Sequence, residues 1–252
     1  MKTLLNYFIF PITALLILGS CQKSITAKTG TVKFTFRNMV STAPMVLESG
    51  VYTNPFGELY NITRFKYYVS NIHLTGTDGT AIEAESYHLL DESIPGSLSF
   101  SFETDENNFS GIGFLIGVDS TRNVSGAQTG ALDPLNDMFW TWNSGYIMAK
   151  MEGTSPQSNQ VGNKIEYHIG GFSGANSALK TVNLPFPTGK QLIITEGKTS
   201  EISVDADFNT WWQTPNDLKI VNTPVCTTPG ALAKQVADNY SKMFTVTNVV
   251  NN

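Results

Sequence analysis

The chain has 252 residues, with 16 Lys and Arg against 21 Asp and Glu and a net charge of −5. Charged residues make up only 15% of the chain and hydrophobic residues 41%, which argues against intrinsic disorder, since disordered chains combine high charge with few apolar residues. The acidic balance, without any Lys/Arg patch, argues against a nucleic-acid binder because phosphate contacts need clustered cations. The length suffices for one large β domain or two small ones.

The first twenty residues have the features of an export signal. Lys2 supplies the positive start, and the apolar run at residues 7–18, interrupted by Pro11, is too short for a membrane-spanning helix. The run ends in Leu18-Gly19-Ser20-Cys21, which resembles the bacterial lipobox, in which the cysteine thiol receives a diacylglyceryl group. An ordinary signal peptide followed by an incidental cysteine is the alternative.

The predicted organisation has three parts: a lipoprotein signal peptide at residues 1–20, a tether from lipidated Cys21 at residues 21–30, and a single β domain at residues 31–252. Acyl chains on Cys21 would anchor the domain in the cell envelope. Because Gln22 is not an Asp-type retention signal, we expect an outer-membrane lipoprotein, on the periplasmic or the surface face. With Cys21 acylated, Cys226 has no intramolecular partner.

Alternating apolar residues mark most segments as half-buried strands. Between Phe65 and Leu74 the alternation changes phase near Asn71, which predicts a β-bulge. Turn signals such as Asp78-Gly79 separate short strands, which favours an all-β, antiparallel sandwich or barrel-like domain. The alternating sets are Val32, Phe34 and Phe36; Leu98, Phe100 and Phe102; Ile112, Phe114, Ile116 and Val118; and Ile202, Val204, Ala206 and Phe208.

The C-terminal segment from Pro229 to Phe244 has a helical period instead. Its apolar residues recur at i, i+4, i+8 and i+11, and Thr228 before Pro229 is a suitable N-cap. We therefore predict one amphipathic helix that closes the domain.

Three histidines and one cysteine are the candidate metal ligands. His168 alternates with Glu166 on a strand and precedes Gly170, which would let another group approach closely. His88 lies in an apolar strand, typical of a hydrogen-bonded interior histidine, and His73 is expected to face solvent. Cys226 is either a plain buried residue or a soft-metal ligand or reactive thiol.

The sequence lacks the motifs of common enzyme classes. It has no H-E-x-x-H, C-x-x-C or G-x-S-x-G motif and no Gly-rich phosphate loop with a following Lys. A carboxylate pair for glycoside hydrolysis could be far apart in sequence, but nothing singles out such a pair. The motifs therefore support neither a zinc hydrolase nor an enzyme with a nucleophilic residue.

Two tryptophan pairs are further candidates. Trp140 and Trp142 share one face of a strand, either as a core-filling pair or with an indole that stacks on a ligand or is oxidised. Trp211 and Trp212 would point to opposite faces of an extended segment, which would leave one of them exposed.

A polar loop at residues 119–137 is a candidate calcium site. Asp119, Asn123, Asp133 and Asp137 provide the oxygen ligands that this hard cation prefers. Ordinary solvated loop residues are the alternative.

Several of these segments together resemble the MbnP-like copper-binding protein family. The resemblance runs in order from about Thr31 to Phe244 and includes Tyr67 to Ile72 and Gly117-Val118-Asp119. Its most specific part is the segment Trp140-Thr141-Trp142-Asn143-Ser144-Gly145-Tyr146.

The resemblance implies an exported, non-catalytic, copper-binding β domain. In better-known relatives a dihaem, peroxidase-like partner oxidises a tryptophan to kynurenine, and this product and histidines together hold copper. Carried over, Trp140 or Trp142 is the modification candidate. His168 is the first candidate ligand, and His88, His73 and Cys226 are the others.

The chain departs from the family pattern at two places. Relatives often have histidine on the first strand and just before the last helix, where this chain has Arg37-Asn38 and Cys226-Thr227. Cys226 or a methionine could substitute, or the fold could be kept without the metal. The alternative function is therefore a surface lipoprotein that binds glycan or peptide through an exposed tryptophan, and a structural subunit of an envelope complex is a third possibility.

Overall fold

The computed structural model describes residues 28–76, 79–83, 86–126, 128–140 and 145–252. The predicted signal peptide, Cys21 and Trp142 lie outside the described residues. The helices are α1 Ser120–Asn123 and α2 Ala231–Tyr240. The strands are β1 Thr29–Val40, β2 Ala43–Pro44, β3 Tyr52–Thr53, β4 Leu59–Tyr60, β5 Arg64–Gly76, β6 Gly79–Ile82, β7 Tyr87–Asp91, β8 Ser99–Asp105, β9 Asn108–Phe109, β10 Gly111–Ile116, β11 Phe139–Trp140, β12 Gly145–Thr154, β13 Lys164–Gly170, β14 Lys180–Pro185, β15 Leu192–Ile193, β16 Thr199–Asp207, β17 Val225–Cys226 and β18 Phe244–Val250.

Two large sheets build the domain. The first has the strand order β18-β16-β1-β2, with β8 also paired to β1, and the second has the order β14-β10-β5-β12-β13-β17, with β6 and β7 on β5 and β11 on β12. Most pairs are antiparallel, but β1–β16 and β13–β17 are parallel. The sheets curl into a half-barrel, so the all-β prediction is confirmed.

Aromatic side chains join the two sheets across the core. The ring centroids of Phe114 on β10 and Phe244 on β18 are 5.0 Å apart, and Phe36 on β1 contacts both rings. Phe34 and Phe36 are buried, as their alternation with polar residues predicts. Aromatic pairs at such separations stabilise a core beyond their buried area.

The predicted bulge at Asn71 is confirmed. Asn71 has φ 53°, in the left-handed region that asparagine tolerates better than most residues. His73 pairs with Gly113 and Ser70 with Leu115, so two residues of β5 oppose one residue of β10. The bulge reverses which side chains of β5 face the core, as the phase change in the sequence indicated.

The predicted C-terminal helix is present, but it is shorter than the predicted segment from Pro229 to Phe244. The helix α2 begins at Ala231 after Gly230, without a side-chain cap, so Thr228 is not its N-cap. Pro229 instead packs over Gly171. The helix ends at Tyr240, and the chain then continues into β18, whose first residue, Phe244, was predicted to be helical. Neither helix in the described part of the chain is long and apolar enough to cross a membrane.

Candidate metal centre

The outer face of the second sheet carries charged side chains on three neighbouring strands, β5, β12 and β13. The intervening residues of these strands, such as Met151 and Tyr167, are buried in the core, so strand alternation turns the charged set outward. The register forms two cross-strand rows: Arg64, Glu152 and Glu166, and beside it Lys66, Lys150 and His168.

Three of these side chains bring potential metal ligands together. His168 Nε2 lies 2.8 Å from Oε1 of Glu152 and 3.7 Å from Oε1 of Glu166. One ligand atom from each residue lies within 4.8 Å of the others. No other three His, Cys, Asp or Glu side chains of the described residues meet in this way. We call Glu152, Glu166 and His168 the carboxylate–imidazole cluster.

The cluster is half-buried, and cationic side chains surround its carboxylates. The side chains of His168, Glu152 and Glu166 are 15%, 21% and 22% exposed. The hydrogen bond from His168 and the nearby Arg64 guanidinium lower the pKa of Glu152 to about 2. Lys164 lies 3.1 Å from Glu166 on the solvent side. At neutral pH the Glu152 carboxylate is therefore anionic, and its partial exposure lets a cation reach it.

The lowered pKa of Glu152 predicts a loss of stability in acid. A carboxylate with a folded pKa near 2 and an ordinary value of 4.5 contributes stability that is complete above pH 4.5 and is lost as the pH falls towards 2. Because this side chain is partly solvated, we expect only about 1 kcal/mol. Urea unfolding of the wild type and of Glu152→Gln should show a difference that shrinks by this amount between neutral and acidic pH. A difference independent of pH would contradict the assignment.

Trp140 covers the strand next to the cluster. Gly170 follows His168 by two residues on β13, about 7 Å along the same face. A Cβ at Gly170 would lie 2.4 Å from Cζ3 of the Trp140 ring, so the missing side chain gives the indole its place. Trp140 is only 6% exposed. The close approach expected at Gly170 is thus observed, and its partner is a predicted site residue.

The other two histidines lie elsewhere. The His88 ring stacks on Phe100 at 3.6 Å, and its Nε2 lies 3.1 Å from both carboxylate oxygens of Glu83. It is hydrogen-bonded as predicted, but it is half-buried and not in the interior. His73 packs over Gly113 on β10. It is seven residues from Lys66 along β5, about 23 Å, whereas His168 shares the row of Lys66. The structure does not bring the three imidazoles into one site.

Cys226 is also separate from His168. It pairs with Tyr167 on β13, which faces the core, whereas the neighbouring His168 faces outward. Burial raises the pKa of the Cys226 thiol to about 11, so the thiolate that binds metals is disfavoured. This placement fits the plain buried residue among the alternatives considered for Cys226.

Local hydrogen bonds engage the candidate calcium ligands. The Asp119 carboxylate accepts from backbone N–H groups in the first turn of α1 and from the Tyr87 hydroxyl. Asn123 Oδ1 accepts from the backbone of Tyr146 at 2.9 Å, and Asp133 caps the 3-10 turn at residues 134–136. Asp137 pairs with Lys150 on the charged face at 2.8 Å. Each of these side chains thus has a structural partner of its own within the protein.

The prediction that Trp211 or Trp212 is exposed is wrong. The segment Phe208–Trp212 is a 3-10 turn capped by Asp207, not an extended strand, and both indoles turn into the core. They are 2% and 1% exposed. Trp140 is buried as well, so none of the described tryptophans offers a stacking platform for a glycan.

Comparison with known proteins places this architecture in a family. A family model described as MbnP matches residues 29–228, which include the whole carboxylate–imidazole cluster. The chain belongs to the MbnP family. MbnP is a non-catalytic, copper-associated family, and membership is consistent with an extracytoplasmic, copper-related protein. No curated protein sequence matches the chain.

A solved structure shows the same fold. MbnP from Methylosinus trichosporium matches with a TM-score of 0.52 at 16% sequence identity, covering 81% of this chain and 83% of that chain. At this identity the match establishes the MbnP fold alone. The roles of individual residues must therefore come from the present chain.

The donors at the cluster favour a particular class of metal. One imidazole and two carboxylates suit borderline divalent ions such as Cu(II) and Zn(II), whereas Cu(I) prefers thiolate and thioether sulfur. Of these three residues only His168 was predicted from the sequence as a metal ligand. The i, i+2 spacing of Glu166 and His168 was a usable signal for the second carboxylate. Glu152 could be recognised as the third ligand only once the register of β12 against β13 was known, because this register places it beside Glu166.

Proposed function

We propose that this MbnP-family protein is a lipid-anchored, extracytoplasmic copper-handling protein without catalytic activity. The observation that carries the proposal is the family match over residues 29–228, which spans most of the β domain. The carboxylate–imidazole cluster supports the proposal, because a copper ion can reach the partly exposed His168 from solvent.

His168 is the copper contact in this proposal, and a neighbouring indole is the modification candidate. Trp140 lies against Gly170, two residues from His168, and Trp142 follows in the segment 141–144 outside the described residues. Oxidation of Trp140 to kynurenine by a dihaem, peroxidase-like partner would add an amine and a carbonyl next to Gly170, two residues from the imidazole. Such donors would complement a single histidine.

The anchor is proposed at Cys21, with the outer membrane as its location. β1 begins at Thr29, eight residues after Cys21, so the tether can extend over at most about 30 Å. The domain would therefore stay close to the membrane that carries its acyl chains. The mass of the native N-terminal peptide tests this part separately, because diacylglyceryl attachment leaves a mass increase at Cys21.

Copper titration of the full chain in detergent tests the proposed function. Protein should be produced with and without a dihaem, peroxidase-like partner and titrated with Cu(I) anaerobically and with Cu(II) in air, against chromophoric competitors. We expect one equivalent to bind with submicromolar affinity and His168→Asn to weaken binding at least about tenfold, since it removes the proposed imidazole ligand.

The control for this titration is His73→Asn. His73 is an imidazole of the same sheet that packs over Gly113, far from the cluster, and its replacement should leave copper affinity unchanged. No binding tighter than micromolar in either oxidation state, with the partner present, would contradict the proposed function. Equal loss in both variants would contradict the assignment of His168.

A further inference from the structure

We infer that Glu152, Glu166 and His168 form a binding site for a borderline divalent cation, Cu(II) or Zn(II), that needs no modified tryptophan. The inference deepens the proposed function by adding two carboxylate ligands and an oxidation state, and it rests on that function only for the choice of copper over zinc. The site would be loaded directly from solvent on the outer face of the sheet.

The distances already approach those of a coordinated ion. Ligands about 2.1 Å from one ion at near-tetrahedral angles lie about 3.4 Å from each other. His168 Nε2 is 2.8 Å from the Glu152 carboxylate and 3.7 Å from that of Glu166. Small rotations about the side-chain bonds of the two glutamates therefore suffice, and the backbone does not have to move.

The strands hold the three ligands on one face. Glu152 and Glu166 are directly paired neighbours on β12 and β13, and His168 follows Glu166 by two residues on the same strand. The two strands are paired in one regular register from Ala149–Ile169 to Thr154–Lys164. A rigid scaffold of this kind lowers the entropic cost of assembling a metal site.

Two of the cations beside the cluster can leave it at little cost, and the third, the buried Lys150, stays paired with the Asp137 carboxylate at 2.8 Å. Arg64 lies 3.4 Å from Glu152 but closer, at 3.0 Å, to Asp137, so it keeps an anionic partner when the metal takes Glu152. Lys164, which contacts Glu166, is 55% exposed, and ion pairs of this kind contribute little to stability. An incoming divalent ion would replace both contacts and neutralise the two carboxylates.

A second histidine–carboxylate pair provides a matched comparison. His88 lies 3.1 Å from Glu83, much as His168 lies close to Glu152, but no third metal-binding side chain of the described residues joins it. If a histidine–glutamate ion pair were enough to bind the metal, both places would bind it. Specific loss at the cluster therefore separates a three-ligand site from an ordinary ion pair.

The test is a Zn(II) titration of the full chain in detergent against a chromophoric chelator. We expect one equivalent to bind with micromolar or tighter affinity. Glu166→Gln and His168→Gln should each weaken binding at least about tenfold, because each removes one of three ligands. His88→Gln should leave the affinity unchanged. Absence of saturable binding, unchanged affinity in Glu166→Gln, or an equal loss in His88→Gln would overturn the inference.

A measurement on the unmodified protein guards against variants that fail to fold. Electron spin-echo envelope modulation of the wild type with one bound equivalent of Cu(II) should show a single imidazole ligand. Two or more imidazoles, or bound Cu(II) without an imidazole, would overturn the inference. Anaerobic Cu(I) titration of Glu166→Gln separates the two proposals. Loss of Zn(II) affinity with Cu(I) affinity retained supports both, whereas Zn(II) binding without any copper binding removes only the proposed function.

Discussion

Replacement of Trp212 by alanine should lower the free energy of unfolding by about 3–5 kcal/mol. The indole is 1% exposed and has ring contacts with Tyr60 at 5.1 Å, Phe208 at 5.7 Å and Tyr167 at 5.8 Å. Its removal would leave a cavity between the 3-10 turn and two strands that the surrounding rings cannot fill. Urea unfolding monitored by far-UV circular dichroism measures the loss.

Two further variants control the Trp212 experiment. Trp212→Phe keeps an aromatic ring in the same space and should lose less than half as much stability. Val161→Ala truncates a side chain that is 98% exposed and should change stability by no more than about 0.5 kcal/mol. A loss below about 1 kcal/mol in Trp212→Ala would mean that the indole is accessible, and would revive the glycan-binding alternative.

Gly170→Val is the second substitution with a large expected effect. A Cβ at this position would lie 2.4 Å from the Trp140 ring and 3.0 Å from the Tyr146 carbonyl oxygen. The rigid indole cannot bend away, so it has to leave its place on β13, and we expect a loss of about 3 kcal/mol. Unfolding measurements on the variant check the energy, and the position of Trp140 in a crystal structure of it checks the cause.

A double-mutant cycle shows whether the loss comes from this contact. Trp140→Ala should cost stability on its own but should recover part of the loss from Gly170→Val, because it removes the clashing ring, with a coupling of at least about 1 kcal/mol. Gly96→Val is the control, since a Cβ there has no neighbour within 4 Å. Additive effects of Gly170→Val and Trp140→Ala would show that the indole does not occupy the surface of Gly170.

The strand pattern was predictable because burial on one face has a simple period. Phe34 and Phe36 on β1 and the phase change at Asn71 are local features, and the bulge follows from them directly. The same reasoning failed at Trp211 and Trp212, where the Asp207 carboxylate accepts from the backbone N–H of Asn209 and turns the chain into a 3-10 helix. An alternation rule applied to extended chain cannot detect that turn.

The C-terminal strand was missed for a related reason. Thr245 and Thr247 alternate with apolar neighbours and are compatible with a strand, but the preceding i, i+4 spacing extended the helical interpretation to Phe244. The pairing of β18 with β16 makes this segment a strand and not a helix, and β16 is about 40 residues earlier in the chain. Helix propensity at the end of a segment is easily overridden by such tertiary pairing.

The candidate site shows what a single sequence can supply. His168 could be selected from the sequence because it precedes Gly170 and from the family resemblance, and its i, i+2 relation to Glu166 is also visible without a structure. Glu152 joins them only because β12 and β13 pair in one register, since a shift by one residue would turn its carboxylate into the core. Register between strands is set by the whole sheet and is not encoded in either strand alone.

The position of a bound copper ion tests the account most directly. Crystals of the full chain prepared with one equivalent of Cu(II), measured at the copper absorption edge, should show one anomalous peak bounded by Nε2 of His168 and the carboxylates of Glu152 and Glu166. The Trp140 indole should remain on Gly170 beside it. A peak at His73 or His88, or a protein crystal without bound copper, would contradict the assignment of this face of the sheet as the metal centre.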